Sequence, residues 1–324
     1  MDRLDYDKIN NYIDNVLNTN TISPFFINNM EYMTKLSESY KNYIALIHNS
    51  LNKFKTKSTN LSNEKIITMS KRILSSISYN YTNSIDNLLK NNLIIFTEDD
   101  DNNSSYQYDE KTDTGKLIIN KCQNYSDICI LIHEFMHYLN HVKNNLSYNN
   151  LDLSEFFSIY YELYAMKYLV NRRLSPKNFD IKTRLINTYE CADDVINYYP
   201  LFLAYFNSKI NEDSASKLGN ITKHAFDIMC IRLLHHIKLK NEKDYKKTGM
   251  YIEDTLSYIL GTYLSFYSIY DLELNDIVYI RKNMNRTDID TSYLLKEVGI
   301  NLDNEFEKKS ISNMNKYLKE LKIL

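Results

Sequence analysis

The chain has 324 residues, of which 44% are hydrophobic, and this is enough to bury one large core or two smaller ones. Its formal net charge of −2 excludes a global basic field of the kind that recruits nucleic acid or an anionic membrane surface. Only 5 glycines and 3 prolines occur, and so few helix breakers favour long helices over many short strands.

The cysteines and the N-terminal segment indicate the cellular compartment. The spacing of Cys122, Cys129, Cys191 and Cys230 fits neither a zinc ribbon nor a redox motif. The first residues lack an apolar signal core, and no apolar run reaches transmembrane length. We therefore expect a soluble, cytoplasmic protein with free thiols and with neither a membrane nor a nucleic acid as its partner.

In chain order, apolar residues recur at helical spacing through about the first ninety residues, and two short strands follow. The strands are Asn92–Thr97 and Lys116–Asn120. The acidic segment Glu98–Thr114 between them is predicted to be an exposed loop. A long helix comes next, with Ser126 as its N-cap and Asp127 in its first turn.

The second half of the chain also has helical patterns. A polar connection, Asn144–Asp152, leads to a helix that begins near Ser154 and is ended by Ser175-Pro176. No internal repeat and no linker is visible. Further helical patterns cover 181–210, 221–240, 248–271 and 305–323.

The long central helix carries the sequence His133-Glu134-Phe135-Met136-His137. Side chains four residues apart lie one above the other on a helix, so His133 and His137 can both direct an imidazole nitrogen at one metal ion. Glu134 flanks the same point, where it can act on a metal-bound water. This H-E-x-x-H pattern predicts one Zn²⁺ per chain.

Two alternatives stay open on this helix. Without a metal, His133 and His137 would be hydrogen-bonded core histidines of an ordinary buried helix. His141 lies two turns after His133, about 12 Å along the axis, so all three histidines cannot bind one zinc. His141 is then either a residue of the cleft behind the ligands or a solvated residue at the helix end.

A catalytic zinc needs a third protein ligand, and the following helix offers two acids. Glu155 and Glu162 are seven residues apart, so they share a face but are separated by about 10.5 Å along the axis. Only one of them can reach the metal. Spacing along the chain does not choose between them.

The stretch from Glu155 to Glu162, EFFSIYYE, resembles the E-x-x-S-x-x-x-E signature of the thimet oligopeptidase and oligoendopeptidase F family. The first Glu of that signature is the zinc ligand, so the resemblance implies Glu155, after a shorter loop than is usual. The family also has a strand that hydrogen-bonds extended substrate, followed by an aspartate-led helix with H-E-x-G-H. Gly115–Asn120 would be that strand and Asp127 that aspartate.

A third stretch, from Gly249 to Gly261, resembles the family's glycine-tyrosine loop and the helix after it. Two tyrosines seven residues apart face the substrate carbonyl there, which implies Tyr251 and Tyr258 as oxyanion donors. Gly249 would let the loop approach the substrate closely. The chain has 29 tyrosines, so the alternative is that Tyr258 only packs in the core.

The sequence also departs from the family pattern. Met136 and Asn140 stand where the family has Gly and His, and Lys246 stands where it has a second His. These changes leave zinc binding intact but affect the groups expected to stabilise the transition state. The resemblance covers about 115–270 of the chain. The family is considerably longer, so we expect most of its N-terminal helical wall to be missing or reduced.

These features predict a mainly α fold, a helical metallopeptidase catalytic domain with a small β-sheet beside the zinc-binding helix. The expected function is zinc-dependent hydrolysis of short unstructured peptides, with Glu134 as general base. The alternatives are a catalytically inactive fold of this type that binds peptides or a protein, and a helical structural protein with a chance motif. The expected organisation is one unit, 1–324, comprising an N-terminal helical region (1–110), a zinc catalytic core (111–275) and C-terminal helices (276–324).

Overall fold

The computed structural model describes residues 4–98, 104–109, 111–144, 152–217, 222–239, 244–284, 286 and 289–324. Within these ranges the chain is mainly helical and has one small three-stranded sheet, which confirms the predicted fold class. Among the helices described, none is long and apolar enough to cross a lipid bilayer.

The elements follow the predicted order. Helices α1 to α5 are Tyr6–Leu17, Pro24–Asn28, Met30–Lys53, Asn63–Ile77 and Tyr79–Lys90. Strands β1 to β3 are Ile94–Thr97, Ser105–Asp109 and Thr114–Asn120. Helices α6 to α14 are Ser126–Asn144, Ser154–Asn171, Ile181–Asn207, Ser214–Lys217, Lys223–Leu239, Tyr245–Asp271, Leu274–Asn283, Thr291–Glu297 and Asn304–Glu320. Most of the predicted polar connection between α6 and α7 lies outside the described residues.

The sheet has the strand order β1-β3-β2, with β3 parallel to β1 and antiparallel to β2. The predicted loop Glu98–Thr114 is therefore wrong for Ser105–Asp109, which form β2. This strand reads SYQYD, and its tyrosines favour the pleated conformation. The acidic residues on both sides conceal this alternation in the sequence, so strand pairing with β3 decides the local structure.

The centre of the molecule is the contact of α7 with α6 on one side and α11 on the other. Gly261 of α11 lies directly against the first turn of α7, where an added Cβ would be 2.8 Å from the backbone nitrogen of Phe156. Ser265 of α11 donates a hydrogen bond of 3.0 Å to the Phe156 carbonyl. Because α11 is held this closely, it fixes the turn of α7 that begins with Ser154 and carries Glu155.

The start of α6 differs from the prediction. Ser126 is not the N-cap, because the helix already begins there and the Asn124 side chain accepts a hydrogen bond of 2.7 Å from the Ser126 backbone N–H. The Ser126 hydroxyl instead accepts from the backbone N–H of Asp180 at 2.7 Å, which ties α6 to the start of α8. Asp127 lies in the first turn as expected, and it accepts from the Cys122 N–H at 2.6 Å.

The predicted glycine-tyrosine loop is also wrong, because Gly249 and Tyr251 both lie within the continuous helix α11. The hydrogen has a packing role at Gly249: a Cβ there would be 1.8 Å from the Thr21 hydroxyl oxygen. The glycine therefore permits close contact with the segment between α1 and α2. It does not create a turn beside a substrate.

Candidate metal centre

Helix α6 brings the two motif histidines together on its inner face. The Nε2 atoms of His133 and His137 are 3.1 Å apart, as expected for side chains one turn apart. His133 is only 6% exposed, since apolar residues of α6 surround it. Two imidazole nitrogens that point at one another in a buried position need a shared proton or a shared cation.

Helix α7 adds Glu155 to this pair. One carboxylate oxygen of Glu155 is 3.3 Å from His137 Nε2, and the other is 3.6 Å from His133 Nε2. The second oxygen, Oε2, is buried and has no hydrogen-bond partner among the described residues. Of the two acids left open by the sequence, Glu155 is the one that joins the two histidine donor atoms, and the three side chains form a candidate metal site.

The separations of the three donor atoms can be compared with those of a bound zinc ion. Tetrahedral ligands at about 2.0–2.1 Å from zinc are about 3.3 Å from one another. The observed separations of 3.1, 3.3 and 3.6 Å are close to this value. The donor set and its spacing therefore fit a zinc ion with little rearrangement.

The electrostatics of the cluster also favour a cation. Burial opposes the ionised form of Glu155, but His137, His133 and Arg184 outweigh burial and lower the pKa of this carboxyl to about 2. Burial likewise opposes protonation of His137, yet Glu155 raises the pKa of this imidazole to about 9. The cluster thus keeps a buried negative charge on Glu155 and takes up a proton when no other cation is bound.

Glu162 lies on the opposite side of the first histidine. Its Oε2 is 3.0 Å from His133 Nδ1, so it contacts the ring nitrogen that faces away from the cluster. A carboxylate in this position accepts the Nδ1 proton and leaves Nε2 with a lone pair for a metal. Burial opposes the charge of Glu162, but Arg184 and His133 lower the pKa of its carboxyl to about 2.

Arg184 of α8 is a site residue that the sequence did not reveal. Its guanidinium forms a buried ion pair with Glu162, with Nε 3.1 Å from Oε1 and a second contact from Nη2. Nη1 donates to the hydroxyl of Tyr258 on α11. A single arginine near the start of a long helix has no motif around it, so only tertiary packing shows that it belongs to this site.

The two predicted tyrosines occupy different environments. Tyr258 lines the cleft, and burial raises the pKa of its phenol even though Arg184 opposes this shift. Its hydroxyl therefore keeps its proton, and since it accepts from Arg184 its own O–H can donate elsewhere. Tyr251 is 57% exposed, hydrogen-bonds to Asp194, and is not among the residues that line the cleft.

The cluster opens into a cleft of about 680 Å³. Glu134 is 7% exposed and lines this cleft next to the two histidines. His141 lines it as well, with its ring 4.0 Å from the ring of Tyr108 on β2. His141 is therefore a cleft residue, which selects one of the two positions that the sequence left open.

The sheet borders the same cleft through β2. Ser105, Tyr106 and Tyr108 of this strand line it. The prediction that Gly115–Asn120 pairs with extended substrate is wrong, because β3 is the central strand and already has β1 and β2 on its two sides. Gly115 instead leaves space for the ring of Tyr106, since a Cβ there would be 2.5 Å from that ring.

Comparison with solved structures was made for the whole chain. A protein described as a peptidase from Chlamydophila abortus superposes with a TM-score of 0.53 and 15% identity, covering 96% of this chain. An oligoendopeptidase F from Bacillus anthracis gives 0.52 and 10% identity over 89% of this chain. Pz peptidase A, solved with an inhibitor, gives 0.51 and 11% identity over 89% of it.

The chain has the fold of these oligopeptidase structures. The predicted resemblance is confirmed at the level of fold, and it extends well beyond the 115–270 region that carries the motifs. This chain spans 57%, 56% and 58% of the length of the three proteins, respectively. No protein-family model and no curated protein matches the sequence.

Proposed function

We propose that this chain is a zinc-dependent peptidase that cleaves short, unstructured peptides. The observation that carries the proposal is the convergence of His133, His137 and Glu155, whose donor atoms lie 3.1–3.6 Å apart next to the carboxylate of Glu134. The fold shared with oligopeptidase structures supports the same conclusion independently of the site.

The ligand set favours zinc over other common cations. Two imidazoles and one carboxylate suit a borderline metal, whereas magnesium and calcium prefer oxygen ligands alone. Three protein ligands leave one coordination position for a reactant. When bound, zinc would supply a Lewis acid that polarises a carbonyl and makes water a better nucleophile at neutral pH.

The protein side chains would then supply the proton transfers. Glu134 takes the proton of the attacking water and delivers it to the leaving amine. Glu162 holds the Nδ1 proton of His133, and Arg184 keeps Glu162 in place. The glutamate–histidine contact therefore fixes which ring nitrogen faces the metal position.

Tyr258 would stabilise the negative charge that develops on the substrate oxygen. Because Arg184 donates to its hydroxyl oxygen, the phenol proton points away from the guanidinium and remains available. A neutral phenol held by a buried cation is a preorganised donor for an oxyanion. Tyr251 would have to move from its contact with Asp194 to take the same role.

The burial of the reactive groups sets the size of the substrate. His133 and Glu134 are 6% and 7% exposed, so only a slender, extended chain could bring a peptide bond to them. The peptide would lie in the cleft between α6 and the β2 strand. We therefore propose preference for short peptides over folded proteins, for which ordered backbone cannot enter.

The test combines metal exchange with cleavage. Purified protein is freed of metal by a chelator, and a quenched fluorogenic peptide library is then incubated with and without added zinc. We expect cleavage only after zinc is restored, little cleavage of a folded protein at ordered internal sites, and no zinc-restored activity in His133→Ala. Zinc and peptide binding without cleavage would support the rival function, an inactive peptide-binding module. Failure to bind zinc would support a structural protein.

A further inference from the structure

Asn140 on α6 has an unusual position for an amide side chain. It lies seven residues after His133 and three after His137, so it shares the helix face that carries the metal cluster. It is 1% exposed, yet it lines the cleft. Neither its Oδ1 nor its Nδ2 has a hydrogen-bond partner within the part of the chain that the structure describes.

An unpartnered buried amide destabilises a folded protein, because it loses its hydrogen bonds to water without replacing them. Nearly all buried polar side chains are satisfied for this reason. The packing around Asn140 does not demand an amide either: its helix neighbours Met136 and Leu139 are apolar and are 0% and 1% exposed. A residue that weakens the free protein in a cleft calls for a ligand that satisfies it.

The same protein shows which group satisfies a buried asparagine. Asn10, which is 6% exposed, donates from Nδ2 to the carbonyl of Ile210 at 2.9 Å. It also accepts at Oδ1 from the N–H of Ile210 at 2.8 Å. One carboxamide thus takes both main-chain groups of one residue. A carboxylate or phosphate ligand could only accept, and an ammonium group could only donate, so neither would satisfy both amide atoms.

We infer that Asn140 is a substrate-positioning residue that binds the main-chain N–H and C=O of one residue of a bound peptide, as Asn10 binds Ile210. The inference rests on the proposed function, and it names the part of the substrate that this end of the cleft recognises. Since the contact is to main chain, it holds peptides of different sequence in the same register. The amide atoms are covered in the free protein, so binding includes a rotamer change that turns them toward the peptide.

The closing experiment measures stability and peptide affinity in matched variants. Asn140→Leu and Asn10→Leu are compared by thermal unfolding without peptide. Affinity for a fluorescent nonapeptide, chosen as the best-bound member of a peptide library, is measured in a Glu134→Gln background, where hydrolysis does not interfere. We expect Asn140→Leu to keep or raise Tm, since it removes an unpaired amide, and to weaken peptide binding by about 10–100-fold. Asn10→Leu should lower Tm and leave peptide affinity unchanged.

A scan of the peptide with single N-methyl groups sharpens the assignment. Methylation at one position should weaken binding to the Asn140 protein and have no effect in Asn140→Leu, because that N–H has lost its partner in the variant.

Two outcomes would overturn the inference alone. A fall in Tm for Asn140→Leu that matches Asn10→Leu would show that the amide has a structural partner such as a buried water. Unchanged peptide affinity in Asn140→Leu, in a protein that still cleaves peptides with zinc, would show that the amide does not meet the substrate. If no library peptide binds even to the parent Glu134→Gln protein, the proposed function fails together with the inference.

Discussion

The two walls of the cleft are built in different ways. The α6–α7 wall supplies His133, His137 and Glu155 from two consecutive helices, within 23 residues of sequence. The α8–α11 wall supplies Arg184 and Tyr258, which touch each other although they are 74 residues apart. The first wall is a property of local spacing, and the second is a property of how distant helices pack.

The difference has a chemical consequence. The donor atoms of the first wall are fixed relative to one another by helix geometry, so a metal site forms wherever α6 and α7 meet in this register. The second wall depends on one buried cation, Arg184, which links Glu162 behind the ligands to the phenol of Tyr258 in front of them. Metal binding should thus tolerate changes in the second wall, whereas catalysis should not.

The largest effect is expected at Glu134, on the first wall. Glu134→Gln keeps the shape of the side chain but cannot accept a proton, so kcat for peptide cleavage should fall by about 10³–10⁴-fold. Zinc content, measured in the same preparation, should be unchanged because Glu134 is not one of the three donors. If zinc is lost together with activity, Glu134 is structural and the assignment of the general base is wrong.

The next effect separates the two tyrosines of α11. Tyr258→Phe removes only the hydroxyl, and kcat should fall by about 10²–10³-fold with little change in KM or in zinc content. Tyr251→Phe is the matched control, since this hydroxyl contacts Asp194 outside the cleft, and its kcat should stay within about twofold. An unchanged kcat in Tyr258→Phe would return that residue to the packed core and leave the oxyanion donor unidentified.

A smaller effect distinguishes the two glutamates of α7. Glu162→Gln should weaken zinc affinity by about 10–100-fold, the range found for groups that orient a ligand from behind. Glu155→Gln serves as the reference and should weaken it more, because it alters a donor itself. Competition with a zinc-binding dye measures both. The reverse ranking would move the third ligand to Glu162 and would contradict the donor geometry.

The smallest effect lies where the two walls meet. Glu253 of α11 is buried, accepts from the Ser23 N–H at 2.8 Å, and faces Asp152, which precedes α7. Burial and the Asp152 carboxylate raise the pKa of Glu253 above its ordinary value of 4.5. An acid whose pKa is raised by folding binds more protons in the folded chain, so stability falls as the pH rises above about 4.5.

Glu253→Gln imitates the protonated acid and should remove part of this dependence. We expect its Tm to match that of the parent protein near pH 4.5 and to exceed it by about 2–4 °C near pH 8. Thermal unfolding at several pH values, on metal-free samples of both proteins, measures the difference. A Tm difference that stays constant with pH would mean that the carboxyl pair does not titrate in this range.

The comparison of the walls also explains what the sequence could predict. Helix α6 and its two histidines were predictable because the H-E-x-x-H spacing and the apolar residues before it act within one helix. Glu155 was singled out by resemblance to a family signature, since helix geometry allowed Glu162 equally. Both histidines and both acids are now found around one point, with Glu155 toward the metal position and Glu162 behind it.

The remaining features depend on tertiary contacts. Arg184 had no local signal, because its partners come from α7 and α11. Strand β2 was missed since its pairing with β3, not its own polar sequence, makes it a strand. Gly249 was taken for a loop residue, but its missing side chain serves close packing against Thr21. In each case the deciding interaction joins segments far apart in the chain, where propensity and periodicity carry no information.

The central claim, that the α6–α7 wall binds a catalytic metal, is tested most directly by metal content. The wild-type protein and the His133→Ala/His137→Ala double variant are equilibrated with zinc, passed through a desalting column and analysed by plasma mass spectrometry. Circular dichroism first establishes that the double variant is folded. We predict about one zinc per wild-type chain and almost none in the variant. A zinc-free wild type, or equal zinc in the two proteins, would contradict the account.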